Sequence, residues 1–257
     1  MNIVLLGLPG AGKGTQARMI CEDFGFTHLA SGDMFRKEVK KETDLGKKAE
    51  KYLEKGELVP DKIAIKLIEK RVKNTKNEDF VFDGFPRNKK QAKALTKLLR
   101  KTGEKINLCI YLQVAENELI RRISGRVICS DCGKVYNVNT NPPAQSGKCN
   151  NCGETLYQRK DDQKEIVKKR IEKSKKRMEK VKDYYRNKKV LTTVESTNKT
   201  PNEVHEKVKN VLEDKLKLKF IWFNLIFFVT IIINVIIWII KIIYISKFHQ
   251  TFITFIY

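Results

Sequence analysis

The segment Gly7-Leu8-Pro9-Gly10-Ala11-Gly12-Lys13-Gly14-Thr15 carries glycines, a lysine and a hydroxyl at the spacing a polyphosphate requires. Glycines let successive backbone N–H groups turn inward around phosphate oxygens. The lysine reaches the outer phosphates, and a helix starting here adds the positive end of its dipole. The pattern predicts a nucleotide site in which Gly10, Ala11, Gly12, Lys13, Gly14 and Thr15 surround a triphosphate. The generic motif places Ser or Thr directly after the lysine, whereas here Gly14 intervenes before Thr15.

A second constellation is Cys129-x-x-Cys132 followed, after sixteen residues, by Cys149-x-x-Cys152. Each pair makes a tight turn that brings two thiolates to one ion, and two such turns complete the tetrahedron favoured by Zn²⁺. Two disulfides are the competing pattern. No secretory signal precedes them, and a reducing compartment would keep these thiols free. Four protein ligands leave no position for water, so the expected ion is structural. Cys21 and Cys109 read as ordinary buried thiols.

The elements that must position these groups are short apolar runs separated by helical stretches, the pattern of a mainly parallel sheet covered on both faces. Strands are expected at Ile3–Leu6, Phe80–Phe82, Ile106–Leu112 and Val190–Val194. Helices are expected at Thr15–Phe24, Asp61–Val72, Lys89–Lys101 and Asp161–Lys188. The last carries Val167, Ile171, Met178, Val181 and Tyr185 on one seam. The 257 residues suit one α/β domain with small insertions. Net charge is +22, from 52 Lys and Arg against 30 Asp and Glu. The lysines read as scattered among acids, as on a solvated helix face, which argues against a nucleic-acid-binding main role.

Further motifs follow the phosphate loop in order: Ser31-Gly-Asp-Met-Phe-Arg36, Gly56-Glu57-Leu58-Val59, Asp83-Gly84-Phe85-Pro86-Arg87, Gln91, Arg122-Ile-Ser-Gly-Arg126, Val135-Tyr136 and Arg159-Lys-Asp-Asp162, with Arg170 beyond. With them, residues 1–215 resemble an adenylate kinase of the long, zinc-bearing type. The resemblance implies a P-loop parallel sheet flanked by helices, with a helical AMP-binding insert at residues 30–59 and a zinc-binding lid at 126–162. It implies reversible phosphoryl transfer from MgATP to AMP, giving two ADP, in a monomeric cytoplasmic enzyme of nucleotide biosynthesis.

The resemblance assigns AMP to Ser31, Arg36, Glu57, Leu58, Val59, Gly84, Phe85, Pro86, Arg87, Gln91, Arg159 and Arg170. Ser31 stands where Thr is usual, and Gln91 favours adenine over a pyrimidine. ATP falls to the phosphate loop, Arg126, Val135 and Tyr136. Catalysis falls to Lys13, Asp83, Arg87, Arg122, Arg126, Arg159 and Arg170, with Asp83 holding the waters of Mg²⁺ and Zn²⁺ stiffening the lid. Arg159 and Asp161 are expected to pair in the open lid. A loose transition state with charge on peripheral oxygens needs cations and alignment, and no general base. His28, His205 and His249 accordingly lie outside every motif.

Two stretches depart from the family pattern. Glu195-Ser-Thr-Asn-Lys-Thr200 replaces an Asp-Gly-containing loop, so the ATP contact falls to Asn198 or Lys199. Residues 218–257 form an apolar tail. Within it, 220–240 is long enough to span a bilayer as an extra C-terminal hydrophobic helix, with Trp222 and Trp238 near its ends and Lys215, Lys217 and Lys219 before it. A membrane anchor and the translation of AT-rich sequence beyond the natural end are both open. A zinc-ribbon nucleic-acid-binding ATPase is the alternative function.

Overall fold

The computed structural model describes residues 1–75 and 78–217. Residues Met1–Val208 make one compact unit; of a second, Lys209–Tyr257, only the helical residues 209–217 are described. The apolar segment 220–240 and His249 lie outside the described residues, and no described helix is long and apolar enough to cross a membrane.

The core is a five-stranded parallel sheet in the order β2-β3-β1-β4-β8, formed by β1 (Asn2–Leu6), β2 (Thr27–Ala30), β3 (Phe80–Asp83), β4 (Ile106–Gln113) and β8 (Leu191–Glu195). Every residue of β1 is buried, as a central strand with helices on both faces must be. The strands expected from sequence are all present. β2 was not foreseen because Thr27-His28-Leu29-Ala30 has a single fully buried position, Leu29, and lies at the sheet edge. Its placement comes from pairing with β3, not from its own pattern.

Helices α1 (Lys13–Phe24), α4 (Asp61–Asn74), α5 (Lys89–Arg100), α6 (Glu116–Ser124) and α7 (Lys164–Asn187) connect and cover the strands. The seam Val167, Ile171, Met178, Val181 and Tyr185 is buried throughout, as its periodicity predicts. Its helix starts later than expected from sequence, since Lys160–Asp162 form a separate 3-10 turn. Asp162 is fully buried there and engaged by arginines, which fixes the turn by its side chain instead of by continued helix.

Two small modules stand out from this layer. Helices α2 (Ser31–Lys40) and α3 (Asp44–Glu54) form a hairpin in the region expected to be an insert. Thr43 caps α3 by accepting from the Gly46 N–H at 3.0 Å. A Cβ on Gly46 would stand 2.2 Å from the Glu38 carbonyl oxygen, so only glycine allows this approach of the two helices. The second module is an antiparallel sheet of β5 (Arg126–Cys129), β6 (Val135–Asn137) and β7 (Leu156–Tyr157), in the order β6-β5-β7.

Candidate active site and metal centre

The C-terminal ends of β1 and β3 open into a cleft of about 580 Å³, the place where parallel α/β sheets hold ligands. The loop after β1 forms its floor. Gly10 and Gly12 have φ of 84° and 88°, the left-handed region where a side chain is strained. A Cβ on Gly10 would also lie 2.7 Å from Ile123 Cγ1, so the loop rests on α6. Gly12 caps α1 without a side-chain acceptor, leaving the first-turn N–H groups to an anion. A Cβ on Gly14 would lie 3.2 Å from Asp83 Oδ2, so glycine here leaves the carboxylate close to the start of α1.

Lys13 Nζ donates to the carbonyls of Gly7 at 2.9 Å and Leu8 at 3.0 Å. Burial lowers its pKa to about 8; Asp83 opposes the shift, while Arg87, Arg126 and Arg170 add to it. Arg87 falls to about 10, again chiefly through burial and then through Arg170. Arg159 falls to about 10 through burial, Arg36 and Arg126. Cations that depress one another's charge around one cleft form a field made for a polyanion.

Carboxylates and carbonyls aim this field. Buried Asp162 accepts from Arg126 Nε at 2.7 Å, with a second, shorter bond to Arg126 Nη2. Arg170 Nη1 meets Asp161 Oδ2 at 2.8 Å. Here Arg159 Nη2 reaches Asp33 Oδ1 at 3.2 Å and Asp161 is held by Arg170; the pair expected of Arg159 and Asp161 belongs to an open lid. Arg36 pairs with the same Asp33 oxygen at 2.5 Å. Arg122 gives Nε to Glu118 at 2.9 Å and Nη2 to the Ser196 carbonyl at 2.9 Å.

Of the residues singled out from sequence, the cleft wall includes Gly10, Ala11, Gly12, Lys13, Gly14, Thr15, Arg36, Leu58, Asp83, Gly84, Pro86, Arg87, Arg122, Arg126, Val135, Tyr136, Arg159, Arg170, Asn198 and Lys199. Five expected AMP residues are not part of it. Phe85 and Val59 are buried in the core. Glu57 faces Lys173 at 3.3 Å. Ser31 Oγ donates to the Gly84 carbonyl at 2.7 Å. Gln91 accepts from Arg87 N–H at 2.8 Å and donates to Asp61 at 2.9 Å, so its amide ties the end of the Asp83–Arg87 loop to the start of α4.

Sequence reasoning also passed over the counter-charges. His28 lines the cleft with Nε2 3.3 Å from Asp83 Oδ2, and Glu118 holds both Arg121 and Arg122. An i, i+3, i+4 acid–arginine pattern on α6 was the available signal for Glu118. His205 is structural, lying between Gln16 at 3.2 Å and Asp23 at 3.0 Å.

Cys129, Cys132, Cys149 and Cys152 bring their sulfurs within 4.8 Å of one another. Cys129 and Cys152 are 3.4 Å apart and Cys132 and Cys149 3.6 Å, far beyond a disulfide bond and close to the ~3.8 Å edge of a thiolate tetrahedron around one ion. Burial resists ionisation of Cys149, but hydrogen bonds from Tyr136 and from the Asn151 and Cys152 N–H groups hold its thiol below the usual range. The donor set fits a metal ion.

The adenylate kinase family profile matches residues 5–190. An adenylate kinase of Bacillus licheniformis is 46% identical over 213 residues, 82% of this chain and 98% of that protein. Adenylate kinases of Carboxydothermus hydrogenoformans and Archaeoglobus fulgidus are 44% and 43% identical over 214 residues, each 83% of this chain and 100% and 98% of theirs. With that profile spanning the phosphate loop, the arginine-lined cleft and the cysteine module, the chain belongs to the adenylate kinase family.

Proposed function

We propose that this cleft transfers the γ-phosphoryl group of MgATP to AMP, giving two ADP. The observation that carries the reading is the convergence of Lys13, Arg36, Arg87, Arg122, Arg126, Arg159 and Arg170 on one cleft beside a phosphate loop. Lys13 and the α1 N-terminus take the β- and γ-phosphates. Val135, Tyr136 and Asn198 flank the adenosine end of ATP, while Arg36, Leu58 and Arg87 face AMP. Bonding of Ser31 to Gly84 and of Gln91 to Asp61 and Arg87 supports a role for both in shaping the AMP wall. Mg²⁺ bound with ATP would neutralise phosphate charge, and Asp83 is the carboxylate that would hold its waters.

The AMP phosphate is already ionised at neutral pH, so the residues need only align it and spread the charge of a loose transition state. Arg126 and Arg159 reach the cleft from the cysteine module and Arg36 from the helical hairpin. Closure of both modules over the nucleotides excludes water. The four cysteines hold Zn²⁺ as a structural ion, because the tetrahedron is complete without a solvent ligand.

Formation of ADP should require AMP as well as MgATP and should ignore added DNA or RNA. ATP hydrolysis stimulated by nucleic acid without AMP would instead support the zinc-ribbon alternative. Anchoring through residues 220–240 rests on hydropathy and flanking lysines alone. After alkaline carbonate extraction of native membranes, enzyme in the pellet supports an anchor, and enzyme wholly in the supernatant rules it out.

A further inference from the structure

Strand β6 touches both functional centres. Its middle residue, Tyr136, is 3% exposed and packs with Cys129, Cys149, Val127 and Leu156. The Tyr136 hydroxyl accepts from the Asn150 N–H at 2.9 Å, and Cys149 Sγ lies 3.4 Å away. A hydroxyl whose lone pair is engaged by a backbone N–H has its proton directed elsewhere, and a metal-bound thiolate offers only an acceptor. The adjoining residue, Asn137, alternates to the opposite side and donates Nδ2 to the Arg122 carbonyl at 2.6 Å. Val135, Tyr136 and Asn137 all contribute to the cleft wall.

We infer that Tyr136 is a positioning residue that hydrogen-bonds the Cys149 thiolate and, through β6 and Asn137, makes the ATP side of the cleft depend on metal occupancy. The inference rests on the reading of the cysteine cluster as a metal site. A ligand sulfur that accepts an outer hydrogen bond is fixed in orientation, and loss of such a partner typically weakens metal binding ten- to a hundredfold. Here the same side chain also sets the strand that faces nucleotide. The metal is therefore tied chiefly to one substrate: the ATP side feels its loss directly, and the AMP side, built mainly from α2, Leu58 and the Asp83–Arg87 loop, meets the module through Arg159.

The test uses the full chain and its Tyr136→Phe variant, which keeps the ring and its packing. Metal release to a colorimetric chelator is followed alongside KM for ATP and for AMP. Tyr136→Phe should release metal at least about tenfold faster and raise KM for ATP with KM for AMP unchanged. Asn137→Ala should raise KM for ATP while leaving metal release at the wild-type rate. Unchanged release from Tyr136→Phe, or a rise in both KM values together, overturns the inference. Wild-type protein purified without stoichiometric metal overturns the metal reading itself, a separate and visible failure.

Discussion

The phosphate floor and the cysteine module hold their side chains by opposite means. The floor grows out of β1 and β3, whose residues Ile3, Val4, Phe80, Val81 and Phe82 are almost entirely excluded from solvent. Its order is a by-product of the main hydrophobic core. The cysteine module has nine strand residues in β5, β6 and β7 and a small buried cluster of Cys129, Tyr136 and Cys149, with half-buried Val127 and Leu156 against it and Ile128 buried beside them on β5. So small a patch offsets little of the conformational entropy of ordering it, and in the metal-site reading proposed above, cross-linking through an ion would supply what burial does not. The phosphate floor is built on the core, and the module proposed to swing as a lid would carry its own fastening in its four cysteines.

The sharpest separation of floor from module is Lys13→Met. It should lower the rate of ADP formation by about 10³-fold or more, since cationic contacts of this kind contribute that much to phosphoryl transfer. It should not lower Tm, because Lys13 is a desolvated cation among other cations. A coupled assay beside a thermal scan checks both; a large fall in Tm would mean that the floor depends on its lysine for order. Next in size is Phe82→Ala, a fully buried ring on β3. A cost of about 3–5 kcal/mol is expected, read as one cooperative transition by denaturant titration.

Cys129→Ser should act differently. It removes one ligand and should lower stability by about 2 kcal/mol or more, with loss of bound metal. The far-ultraviolet signal of the parallel sheet should survive to a higher temperature than the module does. A single transition shared with the sheet would show that the two regions are not independently held.

The floor was legible in the sequence for a physical reason: polyphosphate binding constrains backbone conformation, so Gly10, Gly12 and Lys13 can be read in order along the chain. The cysteine tetrahedron was legible for the same reason, through the two tight turns it needs. The counter-charges were not. Asp162 meets Arg126, and Asp33 meets Arg159, through tertiary placement that no local rule foretells, whereas Glu118 sits three and four residues before Arg121 and Arg122, a local signal lost among the many such pairs of so charged a chain. Edge strand β2 and the positions of Gln91 and Ser31 were likewise set by neighbours distant in sequence. The tail at 220–240 was legible as hydropathy only.

The pH dependence of ATP affinity tests the floor alone. Lys13 in the free enzyme titrates at about 8, and a bound phosphate raises that value. Below pH 8 the lysine is charged in both states and contributes no slope. Above it, binding must take up a proton, so affinity should fall by up to about tenfold per pH unit. Folding stability of the nucleotide-free protein carries the opposite sign from this group. The unfolded lysine holds its proton up to its ordinary range, so stability rises with pH from about 8 upward. Calorimetric titrations of ATP between pH 7 and 9.5 check the first, and the Lys13→Met variant should lose the slope.

The smallest expected effect concerns an ion pair that links the arginine after β7 to the helical hairpin, Arg159 with Asp33. Asp33 is half-exposed and shared with Arg36, so replacement by Asn should cost only about 0.2–1 kcal/mol of stability. Burial raises its pKa, but Arg36, Arg159 and His28 together hold the carboxyl below its ordinary value. The pair therefore contributes fully above the unfolded carboxyl's range and is lost as pH falls through the lower folded value. Its consequence should appear in motion more than in stability. Breaking it loosens two modules that each bring cations to the cleft, so in Asp33→Asn the nucleotide-free protein should populate open forms more, with a larger radius by small-angle scattering. At 0.5 M salt the wild type should approach the variant, since an exposed pair is screened. A variant indistinguishable from wild type at low salt would show that the cysteine module and the hairpin are positioned independently, each by its own fastening.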